Sequence, residues 1–222
     1  MDWDALWLTL RLGVVTVAIL IPLAMIVGRW LALTHIRGKG LLEATLALPL
    51  VLPPTVVGFY LLVAFGSGSW FGQTYQKLFG HALVFTFEGL VVASVIVNIP
   101  FAVQPVQRAF ESIPPDLRDA AATCGMSWWR MIRKIELPLA WPGILTGLVL
   151  TFAHTLGEFG VVLMVGGSIP GETKTVAIAI YDRVQAFDDV GAGRMALLLL
   201  AISLVTIALS YIFTQRLGRR YA

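Results

Sequence analysis

Long apolar stretches separated by short charged segments dominate the pattern of this chain. Five of them contain no Asp, Glu, Lys or Arg: Leu12–Gly28, Ala44–Gln76, Gly89–Gln107, Leu137–Gly157 and Met195–Gln215. Most are close to or longer than the roughly 18–20 residues that cross about 30 Å of hydrocarbon as a helix. The pattern therefore predicts an all-α, polytopic transmembrane protein with about five membrane spans.

The second stretch is too long for one straight helix and too short for two helices joined by a turn. We expect its helix to end near Phe65. The segment that begins Gly66-Ser67-Gly68-Ser69 and continues to Gly80 is predicted to be an external loop, because Gly and Ser favour turns.

Three prolines, Pro49, Pro53 and Pro54, interrupt the helical part of this stretch. Proline lacks the backbone N–H and kinks a helix, and lipid tolerates the freed carbonyl groups only where neighbouring helices or a water-filled cavity satisfy them. These prolines are therefore candidates for the wall of a transport pathway. A kink formed only for packing is the alternative.

Composition supports a membrane protein and excludes several other classes. The chain has 58% hydrophobic and 13% charged residues, against roughly 45–50% and about 25% in soluble domains. Its one cysteine, Cys124, excludes an internal disulfide framework. The three histidines, at positions 35, 81 and 154, are scattered and form no His-Glu-x-x-His motif, so no metal site is predicted.

The positions of Lys and Arg predict the orientation, because short cytoplasmic loops retain positive charge. A net charge of +3 does not indicate nucleic acid here, since the basic residues flank the spans. The first span is expected to be retained, because the chain opens Met1-Asp2-Trp3-Asp4 without the basic region of a signal peptide. We predict the N-terminus outside and the C-terminus in the cytoplasm. The basic residues assigned to the cytoplasm are Arg29, Arg37, Lys39, Arg108, Arg118, Arg130, Arg133, Lys134, Arg216, Arg219 and Arg220.

The cytoplasmic segment of residues 108–138 has a helical pattern. Apolar residues recur at steps of three and four, with most basic residues off that face. Pro114 and Pro115 precede the helix, Asp116 is the expected N-cap, and Gly125 permits a break. The pattern predicts a short helix, a bend and a second helix that leads to Leu137. Periodicity alone also fits an amphipathic helix on the inner leaflet.

Five elements of this segment fall at fixed offsets. They are an acidic residue, two alanines, a glycine and a terminal Ile-x-Leu-Pro: Asp119, Ala120, Ala121, Gly125, Ile135, Leu137 and Pro138. The spacing resembles the signature loop of ABC importer permeases, with Asp in place of the more common Glu. The resemblance implies that this loop is a coupling helix that docks on a separate ATPase subunit.

Three further segments resemble the molybdate branch of these permeases, close to the sulfate and thiosulfate permeases. They are residues 48–54, 155–160 and 169–175. The resemblance implies a type I-like importer fold, with one permease domain over residues 1–222, in a prokaryotic inner membrane. It also implies a homodimer with two ATP-binding cassette subunits and an extracytoplasmic oxyanion-binding protein. Sulfate, thiosulfate and tungstate remain alternative substrates.

Polar residues within the spans are the other pathway or gate candidates: Asn98, Gln104, Thr155 and Glu158. Polar side chains there commonly form hydrogen bonds between helices, which is the alternative. His154 and Glu158 are one turn apart and share a face. A carboxylate is a poor ligand for a dianion, so Glu158 is expected to be structural or to act in gating.

The chain is not expected to be an enzyme. Gly166 and Gly171 have the spacing of a phosphate-binding loop, but Glu172 stands where that loop requires Lys. ATP and Mg²⁺ are therefore expected on a partner chain, with no cofactor on this one. An intramembrane hydrolase using Ser67 or Ser69 with a histidine is a remote alternative, because no Gly-x-Ser-x-Gly elbow is present.

Overall fold

The computed structural model of the chain describes residues 2–221, without the side chains of residues 209–211 and 213–221. The described residues form helices and their connections, with no β-strand, which confirms the all-α prediction. The helices are α1 (Trp3–Leu33), α2 (Lys39–Val51), α3 (Pro54–Phe65), α4 (Trp70–Phe79), α5 (Phe87–Glu111), α6 (Pro115–Thr123), α7 (Trp128–Met131), a π-helical turn (Ile132–Glu136), α8 (Leu137–Gly157), α9 (Gly160–Gly166), α10 (Val176–Gln185) and α11 (Asp189–Tyr221).

Within the described residues, four helical segments are long and apolar enough to cross a membrane. They are α1, α5, the segment Trp128–Gly157 that ends with α8, and the segment Asp189–Ala208 of α11. The α2–α3 pair makes a fifth candidate if the two helices are counted as one bent span. This agrees with the prediction of about five spans.

The second span differs from its prediction in two places. It is not one kinked helix to Phe65, because α2 and α3 are separate and meet at 107°. Pro53 and Pro54 cause this break, since proline disfavours a helical conformation in the residue before it. The predicted external loop is also wrong in part, because Ser69 begins α4 by accepting a hydrogen bond from the Gly72 backbone N–H at 2.8 Å.

A tight bundle of α1, α5 and α8 forms the core. Small residues let the helices approach closely: a Cβ placed on Gly28 would lie 3.0 Å from the Gln107 backbone nitrogen, and one on Gly143 would lie 2.6 Å from the Pro105 carbonyl oxygen. Large apolar side chains fill the space around these contacts. They include Leu20, Leu31, Val106, Phe110 and Ile144.

Two interrupted helix pairs face each other beside this bundle. The α8–α9 pair breaks at Glu158, next to the break between α2 and α3. A Cβ on Gly160 would lie 3.0 Å from the Pro54 Cβ, and one on Gly58 would lie 3.0 Å from the Val161 Cα. The close packing of α3 on α9 holds the two breaks together.

Candidate functional site

The signature loop has the predicted helix-bend-helix form. The α6 helix ends before Cys124, Gly125 turns the chain with a positive φ of 72°, and the following helix continues through the π-helical turn into α8. One detail of the prediction is wrong. Asp116 lies in the first turn and Pro114 occupies the N-cap position, because a proline at the first helical residue fixes φ without losing a hydrogen bond.

The α6 helix presents small and acidic residues outward. Asp119, Ala120 and Gly125 are exposed, whereas Ala121 is buried against the body of the protein. Ile135, Leu137 and Pro138 are half-buried where the loop joins α8. The exposed surface of α6 also carries Leu117, which is 43% exposed, and is accessible to another protein.

A buried carboxylate joins this loop to the membrane helices. Glu136 is fully buried, and its oxygens accept hydrogen bonds from the Nε atoms of Arg29 at 2.6 Å and Arg118 at 2.8 Å. Arg118 also donates to the carbonyl oxygens of Phe110 at 3.0 Å and Ile113 at 3.3 Å. Glu136 and its two arginines, the Glu136 network below, therefore connect α1, α6, the C-terminal end of α5 and the start of α8.

Sequence reasoning missed the Glu136 network, although a signal was present. Glu136 is an acidic residue inside the signature, immediately before a long apolar stretch. A carboxylate at that position needs a cationic partner if it is buried. Arg29 is 107 positions from Glu136, and Arg118 lies on a different helix, α6. The spacing of residues around Glu136 therefore did not identify either arginine as its partner.

A second polar cluster joins α2 to the end of α5. The Gln107 amide donates to Glu43 at 2.6 Å and to Glu111 at 2.9 Å, and the Lys39 ammonium lies 3.2 Å from Glu111. The predicted candidate Gln104 is exposed instead. Gln107, which sequence reasoning did not select, is therefore the buried glutamine of α5.

A cavity of about 380 Å³ lies between the two interrupted helix pairs. Its lining includes three of the predicted pathway residues, Pro49, Pro54 and Glu158, together with Phe101 and His154. Pro53 is outside the lining and forms the N-cap position of α3. The structure therefore brings three of the predicted pathway residues together at one cavity.

Hydrogen bonds organise the polar side of this cavity. Ser94 donates to Glu158 at 3.1 Å, Asn98 donates to the Ser94 carbonyl oxygen at 2.8 Å, and the His154 ring lies 3.1 Å from the Asn98 side-chain oxygen. The Phe101 ring stacks on His154 at 4.1 Å. Asn98 thus supports the cavity wall from behind, and Ser94 is a participant that sequence reasoning missed.

Glu158 contributes the one acidic side chain of the described cavity lining. Its side chain is almost fully buried, and Oε1 has no hydrogen-bond partner among the described residues. The described lining contains no Lys or Arg. The neighbouring candidate Thr155 is buried outside the lining, and its hydroxyl donates to the Thr151 carbonyl oxygen at 2.8 Å. This chemistry does not favour tight binding of an anion.

Ion pairs fasten α10 at the opposite end of α8 from the signature loop. Lys174 lies 2.8 Å from Asp182, and Arg183 pairs with Asp188. The Gly191 backbone N–H and the Arg183 guanidinium lower the pKa of the Asp188 carboxyl. The Asp188 side chain also begins α11, because it accepts the Gly191 N–H at 2.9 Å.

Comparison with known proteins relates most of the chain to transport proteins. Residues 20–222 match the family model described as "Binding-protein-dependent transport system inner membrane component". The chain is 48% identical over 195 residues to the molybdenum transport system permease protein ModB of Azotobacter vinelandii, covering 88% of this chain and 86% of that protein. It is 35% identical over 183 residues to the sulfate transport system permease protein CysT of Escherichia coli K12, covering 82% and 66%.

Solved structures resemble the described fold. A bacterial ABC transporter involved in the import of the acidic polysaccharide alginate matches with a TM-score of 0.77 and 19% identity, over 96% of this chain and 78% of that chain. A structure of the bacterial alginate ABC transporter in complex with an alginate pentasaccharide-bound periplasmic protein matches with a TM-score of 0.76, 19% identity and the same coverage. These matches confirm the prediction of an ABC importer permease fold.

Proposed function

Because this chain belongs to the family of binding-protein-dependent transport system inner membrane components, we propose that it is the permease subunit of an ATP-driven importer for molybdate. The proposal that molybdate is the substrate rests on the 48% identity to a molybdenum permease along most of both chains. Tungstate, which has the same shape and charge, is proposed as a second substrate. The 35% identity to a sulfate permease makes sulfate or thiosulfate the alternative.

The proposed assembly contains two copies of this chain, two ATP-binding cassette subunits and an extracytoplasmic oxyanion-binding protein. The solved alginate transporter supports a periplasmic partner, because it was crystallised with one. In this assembly ATP and Mg²⁺ bind to the cassette subunits, and this chain contributes no catalytic residue. The N-terminus lies outside and the signature loop faces the cytoplasm.

The exposed face of α6 is the proposed contact for the cassette subunit. Asp119 and Ala120 are accessible on it, and the small side chain of Ala120 lets a partner approach closely. When the cassettes close, they displace α6. Arg118 and Glu136 then transmit the displacement to α1 through Arg29 and to α8 through the backbone.

The cavity between the interrupted helices is the proposed part of the translocation pathway. Rigid-body tilting of the helices around the cavity opens it in turn to either side of the membrane, which gives alternating access. Glu158 is the one acidic side chain of the described lining and has no cation beside it, so in its ionised form it would oppose an oxyanion in the cavity. Selectivity then resides in the binding protein.

The hydrolase alternative receives no support from the hydrogen bonds of its candidate residues. The Ser69 hydroxyl bonds to backbone groups around the start of α4, and the His81 ring bonds to the Ala82 carbonyl oxygen at 3.0 Å. His154 bonds to Asn98. These groups therefore serve local structure.

Uptake of labelled oxyanions tests the proposal. Cells that lack their own permeases would receive this chain with its cassette subunit and binding protein, and molybdate and sulfate uptake would be measured. We expect molybdate uptake that tungstate inhibits and sulfate does not. Uptake of sulfate instead would show that sulfate is the substrate. Uptake of neither ion would contradict the proposal of an oxyanion importer.

A further inference from the structure

An apolar groove of about 550 Å³ lies where α1, α5 and the helix that enters α8 meet. It is separate from the cavity at Glu158 and from the exposed face of α6. Its lining is apolar apart from Arg29 and Thr34, and it contains three tryptophans. The apolar side chains that the groove places together include Met25, Ile26, Trp30, Phe110, Trp128 and Trp129.

The depth of this groove favours a lipid over a soluble partner. Met25 and Leu33 both line it, and eight residues of helix between them correspond to about 12 Å along the axis of α1. One end of the groove is therefore inside the hydrocarbon if the other is at the membrane surface. The exposed Trp30 and Trp129 fit the interfacial level, where tryptophan is enriched.

The side chains that open to the outside are apolar as well. Ile26 is 69% exposed and Trp129 is 68% exposed, so the groove is reached from the surface of the spanning helices. An acyl chain of the surrounding bilayer can enter such an opening. A cytoplasmic protein cannot reach its deeper part.

Basic residues that do not line the groove follow its tryptophans Trp128 and Trp129 along the chain. Arg130, Arg133 and Lys134 are exposed, and none forms an ion pair with another described residue. Arg133 follows Trp129 by four residues, which places the two side chains on neighbouring positions of one helical face. Arg29 differs from them, because Glu136 already neutralises it.

We propose that this groove binds an anionic phospholipid of the cytoplasmic leaflet. One acyl chain fills the apolar channel, and Arg130, Arg133 and Lys134 hold the phosphate and the headgroup. The assignment to the cytoplasmic leaflet rests on the proposed function, because the orientation of the signature loop sets the leaflet. The lipid would sit beside the Glu136 network and support the helix that connects α6 to α8.

Quenching of tryptophan fluorescence tests the proposal. The assembled importer would be placed in nanodiscs of phosphatidylcholine with one-fifth of the lipid replaced by dibrominated phosphatidylglycerol or, in parallel, by dibrominated phosphatidylcholine. Bromine quenches tryptophan only near contact. A variant with Trp30→Phe, Trp128→Phe and Trp129→Phe measures quenching of the remaining tryptophans, so the difference reports the groove.

We expect the brominated anionic lipid to quench the groove tryptophans at a several-fold lower mole fraction than the brominated phosphatidylcholine. The double variant Arg130→Gln/Arg133→Gln should lose this preference by about five-fold for each cation, since a basic residue near the surface contributes about 1 kcal/mol. The matched variant Arg37→Gln/Arg108→Gln removes the same charge from other cytoplasmic positions and should retain the preference.

Three results would overturn the proposal. Equal quenching by both lipids would remove the selection for an anionic headgroup. Absence of quenching in the groove would show that lipid does not enter it, and a full preference retained by Arg130→Gln/Arg133→Gln would remove these arginines from the headgroup site. None of these results depends on oxyanion uptake, so they are distinguishable from failure of the proposed transport function.

Discussion

Replacement of Glu136 by Gln should destabilise the chain far more than loss of an exposed ion pair. Glu136 is fully buried, and the side chains of Arg29 and Arg118 are only 19% and 17% exposed. The variant preserves the shape of the side chain but leaves two guanidinium groups without a counterion. Breaking a buried pair by removing one partner costs about 3–5 kcal/mol. We expect this loss in the free energy of unfolding.

The assay is reversible unfolding by sodium dodecyl sulfate in mixed micelles, followed by circular dichroism. Asp182→Asn is the matched control, because it removes one carboxylate from an ion pair with Lys174 in which Asp182 is 39% exposed. Exposed pairs contribute about 0–1 kcal/mol. A loss for Glu136→Gln no larger than that of the control would refute the reasoning.

The same variant separates stability from coupling. If the Glu136 network transmits movement from α6 to α1, the assembled Glu136→Gln importer should hydrolyse ATP while its molybdate uptake falls. Uptake per hydrolysed ATP, measured in proteoliposomes on the folded fraction, is the relevant ratio. A ratio equal to that of the wild-type importer would show that the Glu136 network contributes to folding and not to coupling.

Three further substitutions test other parts of the structure. Gly125→Pro should abolish uptake and leave membrane insertion intact, because Gly125 has φ of 72° and proline fixes φ near −65°; wild-type uptake would contradict the coupling role of the bend. Gly143→Val should cost about 1–3 kcal/mol in detergent unfolding, since its Cβ would clash with the Pro105 carbonyl, whereas Gly193→Ala has open space and should not. At a pH where Glu158 is ionised, Glu158→Gln should increase the ATP-independent leak of molybdate from proteoliposomes several-fold, because a neutral amide replaces the one acidic side chain of the described cavity lining. Thr155 lies outside the lining, so Thr155→Val should not increase the leak. An unchanged leak for Glu158→Gln would give Glu158 a structural role only.

The spans and the loop were predictable because they depend on local pattern. Uninterrupted apolar runs predicted α5 and α8 to within four residues at each end, whereas α1 begins nine residues before its run and ends five residues after it. The bend at Gly125 followed from the glycine and its spacing. Helix α4 was missed because the Gly and Ser residues that precede it, 66–69, predicted a loop that continues to Gly80, although Ser69 is a good N-cap.

The candidate site was harder to predict from sequence because its residues come from distant segments of the chain. Arg29 and Glu136 are 107 positions apart, and no periodicity relates them. Prolines in the second span predicted an irregularity but not the angle of 107° between α2 and α3. Packing against α9 determines which of those residues face the cavity, so Pro49 and Pro54 line it whereas Pro53 does not.

The two facing helix breaks also constrain how the protein is assembled in the membrane during synthesis. Backbone groups freed by a break cannot remain exposed to lipid, because hydrocarbon offers them no hydrogen bonds. The α2–α3 segment leaves the ribosome well before α9, whose Gly160 packs against Pro54. The break in the second span therefore lacks the cover of α9 until the fourth span has been synthesised, and its freed backbone groups must meet water or another protein until then.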